Sequence, residues 1–487
     1  MMIDSDKAEL ILATGILILV VLGARRAFLA PARTKSFDFA LIFAGVFFGL
    51  GPWIAFIYGN WSFVHDNVNS PLEPVNLLIK AYLVIALYIF GIWIIGKIFL
   101  PLKKHGSILP FSEEHFTITK FFGQYQTIKW QYVIVIVAFI WLLRMIVALR
   151  YGILFSGTAT RERVLSQPYY IVVLGSLART LAVGCLVWSS ASFWSDKRFF
   201  TKYVAACALL LELLWMFLFG RRFILMWCVF VAFGYLSSWR RLNLKKLLLL
   251  LLIFGFVLQF LFPFFLKFRF HYYSIEQQQF NPVERIGKTA IKAFGNDNDV
   301  PIDSMYNYSK NMSMRPLFLR RFICRICEGL DKKSPMMGRA LLRSFEYIIP
   351  SAVFPNKATR SPPEQMIQEH FGYPLEDTAI TWPATGCADF GIPGGLIAGL
   401  IVGLWIAFIG LGAKAVLSRH PMLSLTLIGG MMLCLSQVES SLIQYWEFCR
   451  NVLMLLVIAE LLSAFRLLYF YLAKQQHVKS KENKIGC

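Results

Sequence analysis

Two adjacent arginines, Arg221 and Arg222, interrupt the apolar run FLFGRRFILMW at residues 217–227. Guanidinium is planar, stays charged at any working pH and matches phosphate oxygens two at a time. Other arginines recur near the ends of apolar runs: Arg144 and Arg150, then Arg161 and Arg163 in TATRERV, Arg179 inside a run, and Arg450 at the start of the last one. Lys80, Lys267 and Arg269 stand at comparable places. An ionisable side chain in hydrocarbon costs about 2.5–3.5 kcal/mol on insertion scales, so it persists where it lines a polar cavity, snorkels to headgroups or pairs with a carboxylate. Glu212 and Glu439 are candidate carboxylate partners. A ring of such cations at one membrane level matches the charge of a diphosphate headgroup on a polyprenyl lipid.

A second chemical group lies later in the chain, in a stretch that runs from IIPSAVFPNKA (348–358) to DFGIPGGLIAGL (389–400). Pro350, Pro355, Pro362, Pro363, Pro374 and Pro383 exclude one continuous helix and give a shaped loop. Glu364, Glu369, His370, Glu376, Asp377 and Asp389 supply acids, bases and acceptors for sugar hydroxyls, and Phe371, Tyr373 and Trp382 supply flat faces for sugar rings. His370 is the first candidate for a general base, Glu369 and Asp389 the next. The plain readings are a surface histidine for His370 and, for Asp389, an acid at a helix start. Gly391, Gly394 and Gly395 permit a tight turn and close backbone approach. The DFG tripeptide lacks the glycine-rich and HRD-type loops of a kinase.

Both groups must be positioned by a membrane. The chain is 57% hydrophobic and 16% charged, against about 25% charged for a soluble globule. Apolar runs of about 20 residues recur, each long enough for a hydrocarbon core of ~30 Å. The fold class is therefore an all-α polytopic membrane protein. Eleven spans are expected, at 8–24, 37–58, 76–99, 130–149, 169–192, 203–219, 223–238, 247–266, 391–413, 422–440 and 452–472. The first follows Asp4, Asp6 and Glu9 without a basic n-region, so it reads as a retained helix rather than a signal peptide.

Alternate inter-helical loops are all basic, from Arg25, Arg26, Arg33 and Lys35 to the tail lysines 474, 479, 481 and 484. By the positive-inside bias these loops face the cytoplasm, the amino terminus lies outside and the carboxyl terminus inside. That places the arginines above at the outer level. The division that follows is helices 1–8 in residues 1–266, a long outer loop with short helices over 267–390 that covers a site, helices 9–11 in 391–472, and a basic cytoplasmic tail, 473–487. Within the loop, NDNDVPID (296–303) is strongly polar, and a stretch such as Met336–Tyr347 suits a short helix lying on the membrane. The net charge of +21 is spread over short loops, which suits anionic headgroups and excludes a nucleic-acid partner. Of nine cysteines, Cys185, Cys207, Cys228 and Cys434 read as small apolar packers. Cys324 and Cys327 form a lone CxxC without a second pair at zinc spacing, a weak signal for metal or redox chemistry.

The IIPSAVFPNKA and DFGIPGGLIAGL stretches, with GRR at 220–222, resemble the Wzy-type O-antigen and oligosaccharide repeat-unit polymerases. That family carries a P-x-x-x-x-P-x-K-P-like stretch, an NFG-x-x-G entry to a late helix and a G-x-R at an outer helix start. Ala358 and Asp389 depart from its pattern, which has a proline and an asparagine there. The resemblance implies a GT-C-like integral-membrane glycosyltransferase in the bacterial inner membrane, working on its periplasmic face. Its substrate is an undecaprenyl-diphosphate-linked oligosaccharide, and the growing glycan passes to the non-reducing end of a new repeat unit. It further implies no cofactor and no metal, contact with membrane lipids, and a chain-length regulator protein as a candidate partner. On this reading Arg221, Arg222, Arg150 and Arg144 grip the diphosphate, supported by Arg161, Arg179 or Arg450, and His370, Glu369 or Asp389 takes the acceptor proton. A flippase or transporter of the same lipid-linked sugars would share the basic outer cavity, and an O-antigen ligase would differ only in its acceptor.

Overall fold

In a computed structural model of the chain, residues 5–57, 73–99, 124–151, 168–219, 221–237, 243–245, 248–249, 252, 264, 268, 271, 282–294, 317–346, 348–349, 354, 361–373, 380–438 and 442–485 are described. Among them the regular structure is helical, without a strand. In chain order the helices used below are α1 (Ser5–Gly23), α2 (Ser36–Ile57), α3 (Val75–Phe99), α4 (Trp130–Tyr151), α5 (Tyr169–Ser195), α6 (Phe199–Phe219), α7 (Arg221–Ser237), α8 (Pro282–Phe294), α9 (317–330), α10 (Arg339–Glu346), α11 (Pro363–Phe371), α12 (Trp382–Phe390), α13 (Gly394–Leu417), α14 (Pro421–Ser436) and α15 (Leu442–Ile485).

Seven of these, α2 to α6, α13 and the first half of α15, are long and apolar enough to cross a membrane. α1 has the length, at 19 residues, but carries Asp6, Lys7 and Glu9 at its start. α7 and α14 are apolar and shorter, and the expected span 247–266 lies almost wholly outside the described residues. Lipid-facing stripes are legible from exposure. On α4, Val135, Phe139, Leu142 and Ile146 stand out at helical spacing, and on α15 Leu453, Val457, Leu461 and Phe465 do the same. Apolar faces of that extent suit hydrocarbon rather than water.

The interior is built on close backbone contact between α3 and α13. A Cβ on Gly395 would meet the Val84 carbonyl oxygen at 2.2 Å, one on Gly399 the Tyr88 carbonyl oxygen at 2.1 Å, and one on Gly403 the Ile95 side chain at 2.7 Å. The i, i+4, i+8 glycine stripe lets the two backbones touch, as small residues do where helices pack in a membrane. The α12–α13 connection is equally tight. Gly391 turns at φ +69°, and a Cβ on Gly386 would lie 2.2 Å from the Gly394 carbonyl oxygen. The close approach expected of the glycines in DFGIPGG is thus present.

Two departures matter for the site. α15 begins at Leu442 instead of near 452, so Arg450 lies about two turns inside the helix rather than at its opening. The long loop also contains α9, which packs Leu319, Phe322, Ile323, Ile326 and two cysteines into the main core. Its sequence, LFLRRFICRICEGL, has three arginines and a glutamate among apolar residues. That charge obscured a buried helix too short to register as a span. α10 and the turn before it come closer to expectation, exposing Met337, Leu342 and Phe345.

Candidate active site

Three of the singled-out arginines converge from different helices. Arg144 on α4 is buried, and its Nη1 donates to both carboxylate oxygens of Glu212 on α6, at 2.8 and 3.0 Å. Its guanidinium carbon sits 5.0 Å from the centre of the Trp215 ring. Arg179, three turns into α5, is exposed and lies within electrostatic reach of Arg144 and of Glu447 on α15. Arg450 donates from Nε and Nη2 to Asn451 Oδ1, at 3.4 and 3.2 Å, and approaches Glu447 at 3.5 Å. Asn451 in turn donates to Ser176 Oγ at 2.7 Å and Thr180 Oγ1 at 3.2 Å, and Ser176 donates to Glu447. One polar network therefore joins α4, α5, α6 and α15 at a single level.

Its electrostatics are uneven. The Arg144–Glu212 pair is closed: a buried guanidinium facing a buried carboxylate has no charge left over for a ligand. This corrects the expectation that Arg144 grips a diphosphate. Arg179 and Arg450 share Glu447 as a counter-charge. Lys80 is removed from the group altogether, being paired to Asp331 at 2.7 Å. The backbone of Arg221 and Arg222 opens α7 and that of Arg150 ends α4; their side chains, and Arg161, Arg163, Lys267, Arg269 and Glu439 entirely, lie outside the described residues.

Arg450 also connects the network to the proline-rich stretch. Its Nη1 donates to the Ile348 carbonyl oxygen at 3.3 Å, the first residue of IIPSAVFPNKA, and beside it the Phe345 and Trp446 rings meet at a tilt of 55° with centroids 4.3 Å apart. From there Arg343 on α10 binds the Ser361 carbonyl oxygen at 2.9 Å, which leads to α11 with Glu369 and His370. Glu369 is exposed and accepts from Gln365 Nε2 at 2.8 Å and from Ser361 Oγ at 3.2 Å. His370 Nε2 lies 3.0 Å from the Ser334 carbonyl oxygen. A carbonyl can only accept, so Nε2 carries a proton; when the ring is neutral, the lone pair is then on Nδ1. That is the tautomer a base acting through Nδ1 requires.

Asp389 has a different place from the other two. It is fully buried, and its two oxygens accept from the Ala340 and Leu341 amides at 2.9 and 2.8 Å. Burial pushes its carboxyl upward while the amide bonds, Gly338 among them, pull it down. Asp389 is thus an acid at a helix start, the plain reading, but the helix it caps is α10 rather than α13. A carboxylate wrapped in amides and closed from solvent is no general base for a sugar hydroxyl, which corrects that candidacy and leaves His370 and Glu369.

Sequence reasoning passed over the groups that organise these two sets. Glu447 and Asn451 flank Arg450, and Ser176 and Thr180 stand one turn apart on α5; polar residues at i, i+3 and i+4 inside apolar helices were the available signal. It also passed over Arg320 on α9. That buried guanidinium donates to Glu9 of α1 at 2.8 Å and to Glu73 just before α3, and Tyr82 donates to Glu9 at 3.4 Å. Arg321 stands 3.4 Å from Glu73. Among the described residues no group of three or more His, Cys, Asp or Glu is placed to hold a metal. Asp297-Asn298-Asp299, a DxD spacing in the polar stretch 296–303, lies outside them. No family model matches the chain, and neither a curated protein nor a solved structure matches it.

Proposed function

We propose that this protein is a Wzy-type glycosyltransferase with a GT-C-like architecture that polymerises undecaprenyl-diphosphate-linked repeat units at the periplasmic face of the bacterial inner membrane. The observation that carries the reading is the bond from Arg450 to Ile348. It ties the helix network of Arg179 and Arg450 to Ile348, the first residue of the stretch that resembles the polymerase motif. The topology is amino terminus out and carboxyl terminus in, which sets this end of the bundle in the outer leaflet.

In the reaction, the acceptor sugar hydroxyl attacks the anomeric carbon of the donor glycan. The bond from that carbon to the diphosphate oxygen breaks, and undecaprenyl diphosphate departs with the bonding electrons. Arg179 and Arg450, with Arg221, Arg222, Arg150 and Arg161 from the neighbouring segments, stabilise the charge that develops on the leaving oxygen. Preorganised cations in a water-poor site supply the largest part of such catalysis. His370 takes the hydroxyl proton on Nδ1, a step contributing about 10²–10⁴-fold.

A flippase needs a polar route through the membrane. A cationic cavity of about 280 Å³, lined by Arg25, Arg26, Lys35 and Lys97, lies at the far ends of α1 and α3, and along their length these helices bury Ala13, Ile16, Val20, Ile85, Ile89 and Ile92. That favours a one-sided enzyme. Incubating the purified protein with a lipid-linked repeat unit tests the proposal. A ladder of longer lipid-linked glycans is expected; a single transfer to another lipid would mean a ligase, and absence of any covalent product would leave the flippase. His370→Ala is expected to lower turnover by about 10²-fold or more across pH, and unchanged turnover at several pH values would remove the base from the scheme.

A further inference from the structure

The CxxC on α9 has no zinc partner, but it has a sulfur partner. Cys327 Sγ lies 3.8 Å from Cys387 Sγ on α12, and both thiols are buried, at 1% and 0% exposure. Cys324, one turn earlier, points elsewhere: its Sγ is 3.7 Å from the Leu77 carbonyl oxygen and 3.8 Å from Arg320 Nη1. The spacing within the motif therefore misleads, because the sulfur closest to Cys327 is 60 positions away in the chain. We propose that Cys327 and Cys387 are joined as a disulfide in the mature protein, fastening α9 of the long outer segment to the helix that feeds α13. The proposal rests on the outward orientation argued above, since a disulfide persists in the periplasm and not in the cytoplasm.

Bonding requires the sulfurs to close from contact to ~2.05 Å. The oxidant is a thiol–disulfide oxidoreductase in its disulfide form. Cys327 thiolate attacks one sulfur of that disulfide and displaces the other as a thiolate. Cys387 then attacks the mixed disulfide, the second donor sulfur leaves, and the donor carries away two electrons and two protons. Because both positions are closed in the folded chain, exchange takes place before α9 and α12 pack, and the product is afterwards shielded from reductant.

The full-length protein, isolated without reductant, is denatured in the presence of an alkylating agent and mapped by mass spectrometry. Two fewer alkylated cysteines than the nine in the sequence are expected, with a Cys327–Cys387 linked peptide that disappears on reduction. All nine alkylated, or a Cys324–Cys327 linkage, overturns the proposal. In parallel, Lys332→Cys, at an exposed position on the turn after α9, is probed in intact cells with a membrane-impermeant maleimide. Labelling together with nine free thiols refutes the bond while leaving the outward orientation intact. Absence of labelling together with nine free thiols traces the failure to the orientation itself, and the bond is again overturned.

Discussion

The molecule holds two arginine centres at the same end of its helix bundle, and they are built in opposite ways. Around Arg320, two guanidinium groups face two carboxylates, Glu9 and Glu73, with Tyr82 closing the remaining side. Around Arg450, two guanidinium groups share Glu447, and the bonds run to an amide, a carbonyl and hydroxyls. The first centre balances its charge inside the protein and ties α1, the start of α3 and α9 together. The second shares Glu447 between two guanidinium groups and reaches Ile348 at the start of the proline-rich stretch. Counting arginines does not separate a staple from a site; counting the carboxylates beside them does.

The largest expected effect is on the closed centre. Arg320→Met leaves Glu9 and Glu73 facing each other in a buried setting, and breaking a buried pair costs about 3–5 kcal/mol. Thermal unfolding in detergent should show a strong drop. Converting Glu9, Glu73, Arg320 and Arg321 together to methionine should recover most of it, since apolar replacement of a whole buried group is close to neutral. Recovery that fails would mean the centre does more than fasten helices. Arg144 tests where the dividing line falls. With Glu212 as its partner it belongs with Arg320, so Arg144→Met should lower stability and Arg144→Met/Glu212→Met should restore it.

For the open centre the signs reverse. Arg450→Met should change stability by about 1 kcal/mol or less, because Glu447 and the guanidinium are both partly in solvent. Turnover on a lipid-linked repeat unit should fall about 10²–10³-fold, the usual loss when one preorganised donor to a developing anion is removed. A stability loss matching that of Arg320→Met, with normal turnover in the folded fraction, would erase the distinction between the two centres.

A smaller effect is expected where the proline-rich stretch meets α10. Asp389→Ala strands the Ala340 and Leu341 amides, worth about 1–3 kcal/mol. The folded fraction should keep its rate, because the carboxylate acts on the backbone. A rate loss larger than the loss of folded protein would return Asp389 to the chemistry.

The membrane helices were legible because hydrocarbon imposes one requirement over 20 residues, and most of the spans read from sequence coincide with long apolar helices. α1, α7 and α14 were found by the same signal despite falling short in length or apolarity. The tight turn at Gly391 and the glycine stripe facing α3 were legible in part, since only glycine fits a backbone at 2.1 Å. The arginines stood out by type, but their pairing did not. Whether Arg144 meets Glu212 depends on how α4 and α6 rotate about their axes, and that is set by packing against α5 rather than by spacing along the chain. Asp389 shows the same limit. Its position announces a cap, yet the helix it caps starts about fifty residues earlier and is brought to it only by the tertiary fold.

The last comparison concerns metal. The proposed reaction assigns the leaving diphosphate to guanidinium alone. Chelation with EDTA should then leave the glycan ladder unchanged, and Asp297→Asn with Asp299→Asn should leave the rate within about twofold. A ladder that vanishes on chelation, returns with a divalent cation and is lost in the Asp297/Asp299 variant would overturn that assignment. The open centre would then be a secondary clamp on a metal-bound diphosphate, because a divalent cation bridging phosphate oxygens does the work otherwise left to several arginines.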